Sequence, residues 1–123
     1  MYALQTGVDY ISENYRNYIT LHTHAYDRDY NSPGGEFDEY KSESHVLRAE
    51  HTRKMFENFN YGIGVEYKYD ESSFTNRGSY TSSLSGDYNN KSIFTNLGYR
   101  PYKSILTSFI FRNDDNNIIG DAN

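Results

Sequence analysis

Two histidines, His22 and His24, stand two residues apart, a spacing that puts both imidazoles on one side of an extended chain and within reach of one metal ion. No third ligand has a recognisable spacing to them, and His45 and His51 are poorly placed to complete a set, so the pair reads as polar wall residues and no metal is assigned. Carboxylates gather at three places: Asp27 and Asp29 beside Tyr30, Asp70 with Glu71, and Asp114 with Asp115. If these mark the openings of loops at one end of a sheet, their oxygens suit a hard cation such as Ca²⁺, which takes six to eight of them. As isolated features they read as solvated loop charges. Tyr80 and Tyr88 lie in a Ser- and Tyr-rich stretch, where their rings could contact a large flat ligand or pack the loop. The sequence has no nucleophile elbow, no Ser/His/Asp arrangement and no Gly-rich phosphate loop between a strand and a helix, so no catalytic role is expected.

These residues must be positioned by strands, because the dominant hydrophobic period is two. The clearest segment runs from Tyr61 to Tyr69. Tyr61, Ile63, Val65, Tyr67 and Tyr69 share one face, against Gly62, Gly64, Glu66 and Lys68 on the other. The same alternation, with less contrast, runs through Tyr2–Tyr10, Ile19–Ala25, Leu47–Glu50, Ile93–Tyr99 and Ile105–Arg112. About six strands of some ten residues each follow, joined by short links at 11–16, 54–59 and 100–103 and by longer polar excursions at 30–39 and 72–89. Short turns at one end and long loops at the other are the habit of outer-membrane barrels. A ten-residue strand tilted by about 45° rises roughly 23 Å, close to the height of the apolar band. Tyr61, Ile63, Val65, Tyr67, Leu97, Tyr99, Phe109 and Phe111 are then lipid-facing, and Arg48, Glu50, Glu66, Lys68 and Arg112 line the lumen. Charges of opposite sign on neighbouring strands can pair there.

Composition narrows the choice of class. The chain of 123 residues is polar on average, with a mean hydropathy of -0.90, yet it carries 14 Tyr and 7 Phe. Disordered chains are poor in aromatics, so the rings need a place that rewards amphipathic side chains: a binding surface or a lipid–water interface. A net charge of -5 without a basic stripe argues against nucleic acid. With no cysteine, disulfides and thiolate metal sites are excluded. Residues 1–10 lack the basic and apolar regions of a signal peptide, and no run is apolar enough for a spanning helix. A soluble β-sandwich would need more large aliphatic residues for a dry core than this chain supplies. The competing class is therefore a soluble all-β module binding carbohydrate on a Tyr-rich face.

The ordered segments Leu4-Gln5-Thr6-Gly7-Val8-Asp9-Tyr10, Tyr18 through Tyr26-Asp27-Arg28-Asp29-Tyr30, Tyr61 to Tyr67, Asn90 to Tyr99 and the hairpin ending Phe111-Arg112-Asn113-Asp114-Asp115-Asn116-Asn117, with Gly120 following, resemble the middle of the barrel in TonB-dependent outer-membrane receptors. The resemblance spans nearly the whole chain and is nearest to the cobalamin (vitamin B12) receptors, with ferric-siderophore receptors sharing similar strands. It implies an antiparallel meander of about six transmembrane strands, a partial barrel domain over residues 1–123 of a 22-stranded wall, in the bacterial outer membrane. It also implies a transporter and not an enzyme. Its partners are outer-membrane lipid, a corrinoid or siderophore, and TonB through the plug region of the parent receptor. The plug and closing strands are expected to lie outside these residues. The family's ability to hold Ca²⁺ in outer loops is compatible with the carboxylates above, but no residue is assigned to it, and no cofactor is expected.

Overall fold

Alternating side chains produce alternating faces only if every strand is held in register, and the register here is continuous. In a computed structural model the chain forms one six-stranded antiparallel sheet in the order β1-β2-β3-β4-β5-β6. The strands are β1 (Tyr2–Ile11), β2 (Tyr15–Asn31), β3 (Phe37–Phe56), β4 (Phe59–Arg77), β5 (Ser82–Tyr102) and β6 (Ile105–Ala122). The structure describes every residue except Ser32, Ser79, Tyr80 and Asn123, and only the backbone of Gly120, Asp121 and Ala122. Tyr80, a candidate ligand contact, thus lies outside the described residues. The sheet is open: β1 and β6 are both edges.

The two ends of the meander differ. At one end β1–β2, β3–β4 and β5–β6 turn within residues 12–14, 57–58 and 103–104. Backbone bonds knit these turns together: the Lys54 amide donates to the Asn14 carbonyl and the Arg100 amide to the Asn58 carbonyl, each at 2.8 Å. The expected short links are present, tighter than their sequence bounds. At the other end the expectation of long loops is corrected. Residues 30–39 and 72–89 are mostly paired strand, and the connections there shrink to 32–36 and 78–81. Strands β2 to β6 run 17 to 21 residues, about twice the expected length. Polar composition was read as loop, but a ladder needs only backbone donors and acceptors, and both faces of a ribbon may be wet. Side-chain pairs reinforce this distal ribbon. Asn76 Nδ2 donates to Asp38 Oδ1 at 2.5 Å, the rings of Tyr26 and Tyr40 sit 5.9 Å apart, and Arg77 lies over Phe37. Gly35, in left-handed conformation at φ 87°, closes the β2–β3 turn after Pro33.

Two unlike faces result. Along β4, Phe59, Tyr61, Ile63, Val65, Tyr67 and Tyr69 lie on what we term the apolar face. Their partners on β5 are Tyr99, Leu97, Thr95, Ile93, Lys91 and Asn89. Phe109 and Phe111 join them on β6, opposite Leu97 and Thr95. The alternate residues form the polar face, and the strand glycines Gly7, Gly62, Gly64, Gly86 and Gly98 are all on it. There a large side chain leans over a small one. A Cβ on Gly64 would run into the Phe94 ring, one on Gly62 into Asn96, and one on Gly98 into Asn60, each the direct cross-strand partner. Phe94 is the one large hydrophobic side chain buried among the described residues. A single layer supplies no other core. Ile63, Val65, Ile93, Phe109 and Phe111 are 50–64% exposed, an apolar surface that needs a cover.

Candidate functional site

The polar face carries a linked series of charges that crosses all six strands. Arg16 pairs with Asp9 at 2.5 Å and lies over the Tyr18 ring. The Tyr18 hydroxyl donates to Glu50 at 2.6 Å. Glu50 also accepts from Arg48 at 2.9 Å, Asn96 at 3.1 Å and Thr52 at 3.3 Å. Arg48 reaches Glu66 at 3.6 Å while its guanidinium covers Phe94, 4.4 Å from the ring centroid. Phe94 is therefore enclosed between Gly64 beneath and Arg48 above. From Glu66 the series continues to Arg112 at 2.8 Å, and Arg112 donates to Ser92 and Asp114. Ser92 and Asn90 both donate to Asp114, at 2.5 and 3.2 Å. Lys68 and Asp70 form a further pair at 2.6 Å, with Lys68 over Tyr88.

Arg48, Glu50, Glu66, Lys68 and Arg112, expected on one wall, are brought together there. The link from Glu66 on β4 to Arg112 on β6 skips a strand, passing over Ser92. That contact was not foreseeable without the register. The Asp9–Arg16 and Tyr18–Glu50 contacts were also missed, although Asp9, Tyr18 and Glu50 form one cross-strand row. His22 and His24 share this face, opposite Val46 and Ser44.

The ligand candidates fare differently. Asp27, Asp29, Tyr30, Asp70, Glu71 and Asp114 are expected at loop openings and Tyr88 within a loop, but all are inside strands. They also divide between faces: Asp27, Asp29 and Glu71 are on one, and Tyr30, Asp70, Tyr88 and Asp114 on the other. They do not converge on one ligand. Asp114 belongs to the charge series instead. Asp27, Asp29 and Glu39 can bring a carboxylate oxygen each within 4.8 Å of one another. Lys41 already pairs with Glu39, and its hydrogen bond holds the Glu39 carboxyl below its ordinary range.

The apolar face has its own geometry. Tyr61, Ile63, Val65, Tyr67, Leu97, Tyr99, Phe109 and Phe111 do share this face. Between β1 and β6 the apolar stretch slides along the strands. On β1 it centres on Thr6, in the row of Leu21, Leu47 and Tyr67. On β6 it centres near Phe109, in the row of Leu97 and Tyr61. The shift from Tyr67 to Tyr61 is about 20 Å along a strand, against about 24 Å of sheet width between β1 and β6. The band thus runs at about 40° to the rows. Beyond its distal edge the same face turns charged, with Asp27, Lys41, Glu71 and Asp87. At its short-turn edge stands an aromatic chain. Tyr10 meets Tyr15 at 5.9 Å, Tyr15 meets His51 at 6.1 Å, and His51 meets Tyr61 at 6.2 Å. No family model and no curated protein matches the chain.

Proposed function

We propose that this chain is a piece of the wall of an outer-membrane barrel, cut from a TonB-dependent receptor that imports a corrinoid. The observation that supports this most directly is the slanted apolar band. Strands in such barrels tilt by about 35–45°. A band that is level in a bilayer must therefore cut across the rows at that angle, and the slope of about 40° matches. A sheet packed on a soluble core has no reason to shift its apolar residues steadily from strand to strand. The height agrees as well: Phe59 to Tyr69 is about 33 Å along β4, or about 25 Å along the normal at that tilt, the height of the apolar band in such barrels.

On this reading the polar face is the lumen wall. Its charges pair across the strands, which leaves Arg48 Nε, Asp70 Oδ1 and Asn90 Oδ1 as the buried side-chain atoms without a hydrogen-bond partner among the described residues. The charged distal ribbon stands beyond the bilayer on the ligand side. The choice of a corrinoid rests on the ordered resemblance from Leu4 to Asp115, which is nearest to cobalamin receptors. The chain itself performs no chemistry; it frames a passage opened through other parts of the receptor.

The topology is tested with nitroxide labels along β4 in lipid. Labels at Ile63, Val65 and Tyr67 should be reached by oxygen and shielded from a water-soluble relaxation agent, and labels at Glu66 and Lys68 should show the reverse. Equal water access at alternating positions rejects it. For the ligand, outer membranes bearing the parent receptor should bind cyanocobalamin saturably; saturation by a ferric siderophore instead rejects the corrinoid.

A further inference from the structure

The short-turn rim is the basic end of an otherwise acidic protein. Arg53, Lys54, Arg100 and Lys103 cluster there, all exposed, against Glu13 and Glu57. Among the described residues none of these four cations has an ion-pair partner. The distal end is the opposite: Asp27, Asp29, Asp38, Glu39, Glu71 and Asp87 outnumber Arg28, Lys41 and Arg77. Elsewhere Arg16, Lys41, Arg48, Lys68 and Arg112 pair with carboxylates, and Arg28 and Arg77 stand among the more numerous distal acids, so net positive charge is concentrated at the short-turn rim.

The setting of Arg53 specifies what that rim faces. Arg53 lies on the apolar face, in one row between Tyr15 and Tyr61. Those rings belong to the aromatic chain that edges the apolar band. A guanidinium at that edge lays its methylenes along the rings and holds its charge at headgroup depth. Met55, Phe56 and Tyr102 are exposed close by, 48%, 67% and 71% respectively. Amphipathic rings, exposed apolar tips and unpaired cations in one narrow zone suit the headgroup layer of a bilayer rather than bulk water.

We infer that the short-turn rim is held against anionic phospholipids in the leaflet it faces: Arg53, on the apolar face, meets their phosphates at headgroup depth, while Lys54 and Arg100, on the polar face, and Lys103, in the turn, add positive field at the same rim. This rests on the membrane reading and adds to it a lipid class and a direction. The same charge arrangement repels the acidic distal end from that leaflet, so it also fixes which end crosses the bilayer.

Flotation of the full chain with vesicles tests this. One set is phosphatidylcholine alone, and the other has about a third of its lipid replaced by phosphatidylglycerol. A basic residue near an anionic leaflet gains roughly fivefold in association. With partial screening, the four together should give at least a tenfold preference for the phosphatidylglycerol vesicles at ~0.1 M salt, vanishing at ~1 M. The variant R53Q/K54Q/R100Q/K103Q should lose the preference, and R28Q/K41Q/R77Q, with an almost equal loss of charge at the distal end, should keep it. The milder R53Q/R100Q should lose part of it, which covers failure of the fourfold variant to form β-structure by circular dichroism. Equal association of the wild type with both vesicles overturns the rim assignment alone, as does a salt-insensitive preference or its loss in the distal variant. Association with neither vesicle overturns the membrane reading itself.

Discussion

Replacing Val65 by arginine separates a wall in lipid from a sheet in water. Val65 points out of the apolar face and is 52% exposed, with Ala49 and Ile93 as its cross-strand neighbours. In water, an exposed side chain away from caps and buried networks tolerates such a change to within about 0.5 kcal/mol. In a bilayer the position is near the worst available. The apolar stretch of β4 runs from Phe59 to Tyr69, so Val65 sits within about 3 Å of mid-height at the slope of the band. Arginine at that depth costs about 2–4 kcal/mol, falling to about 0–1 at the interfaces. Ser73 is on the same face eight residues further along β4, roughly 20 Å higher, level with the charged ribbon. Ser73→Arg should therefore cost close to nothing. The assay is urea-dependent unfolding of the chain refolded into phosphatidylcholine vesicles, followed by circular dichroism. Val65→Arg should lower stability by about 3 kcal/mol relative to Ser73→Arg. A difference below about 0.5 kcal/mol would refute the argument, because a midplane position cannot be that permissive.

Three further outcomes follow from the polar face and the distal ribbon. Gly64→Val puts a branched side chain where the Phe94 ring lies, and should destabilise by about 1–3 kcal/mol in the same unfolding assay; adding Phe94→Ala to it should recover part of the loss. A double-mutant cycle on Glu66→Gln and Arg112→Gln should return a coupling of about 0.2–1 kcal/mol, the range for exposed pairs; zero coupling would mean that the link across β5 carries no energy. In the distal ribbon, Lys41→Gln should raise the Glu39 pKa, read by NMR titration. Because Lys41 lowers it in the folded chain, the pair's contribution is present above the unfolded carboxyl pKa and is lost as pH falls through the depressed value.

How much could be read beforehand depended on contrast between faces. Along Tyr61–Tyr69 apolar and polar residues alternate without exception, so the strand and its faces were legible from the sequence. The distal half lacked that contrast. In Glu71–Arg77 and Ser82–Tyr88 one face is polar throughout and the other sets only Phe74, Leu84 and Tyr88 among Ser, Asn and Gly, a composition that serves a loop or a wet ribbon, and only backbone pairing separates the two. That is why Asp27, Asp70 and Glu71 were expected at loop openings. The wall charges Arg48, Glu50, Glu66 and Arg112 were legible as a face, because parity alone sorts them. Their partners were not, since which strand lies beside which residue is a matter of register. The slope of the apolar band was hidden for the same reason: it exists only when six segments are aligned.

The placement of the glycines has a mechanical consequence. Gly7, Gly62, Gly64, Gly86 and Gly98 all withdraw side-chain volume from the same side of the sheet, while the opposite side carries Tyr, Phe, Ile and Leu. A sheet with unequal bulk on its two sides is under no steric balance. It bends most easily toward the emptier side, where neighbouring side chains converge without collision. Phe94 and Arg48, folded flat over Gly64, keep that side thin even where it carries large residues. The direction of curling is thus written into the side-chain volumes of β1, β4 and β5.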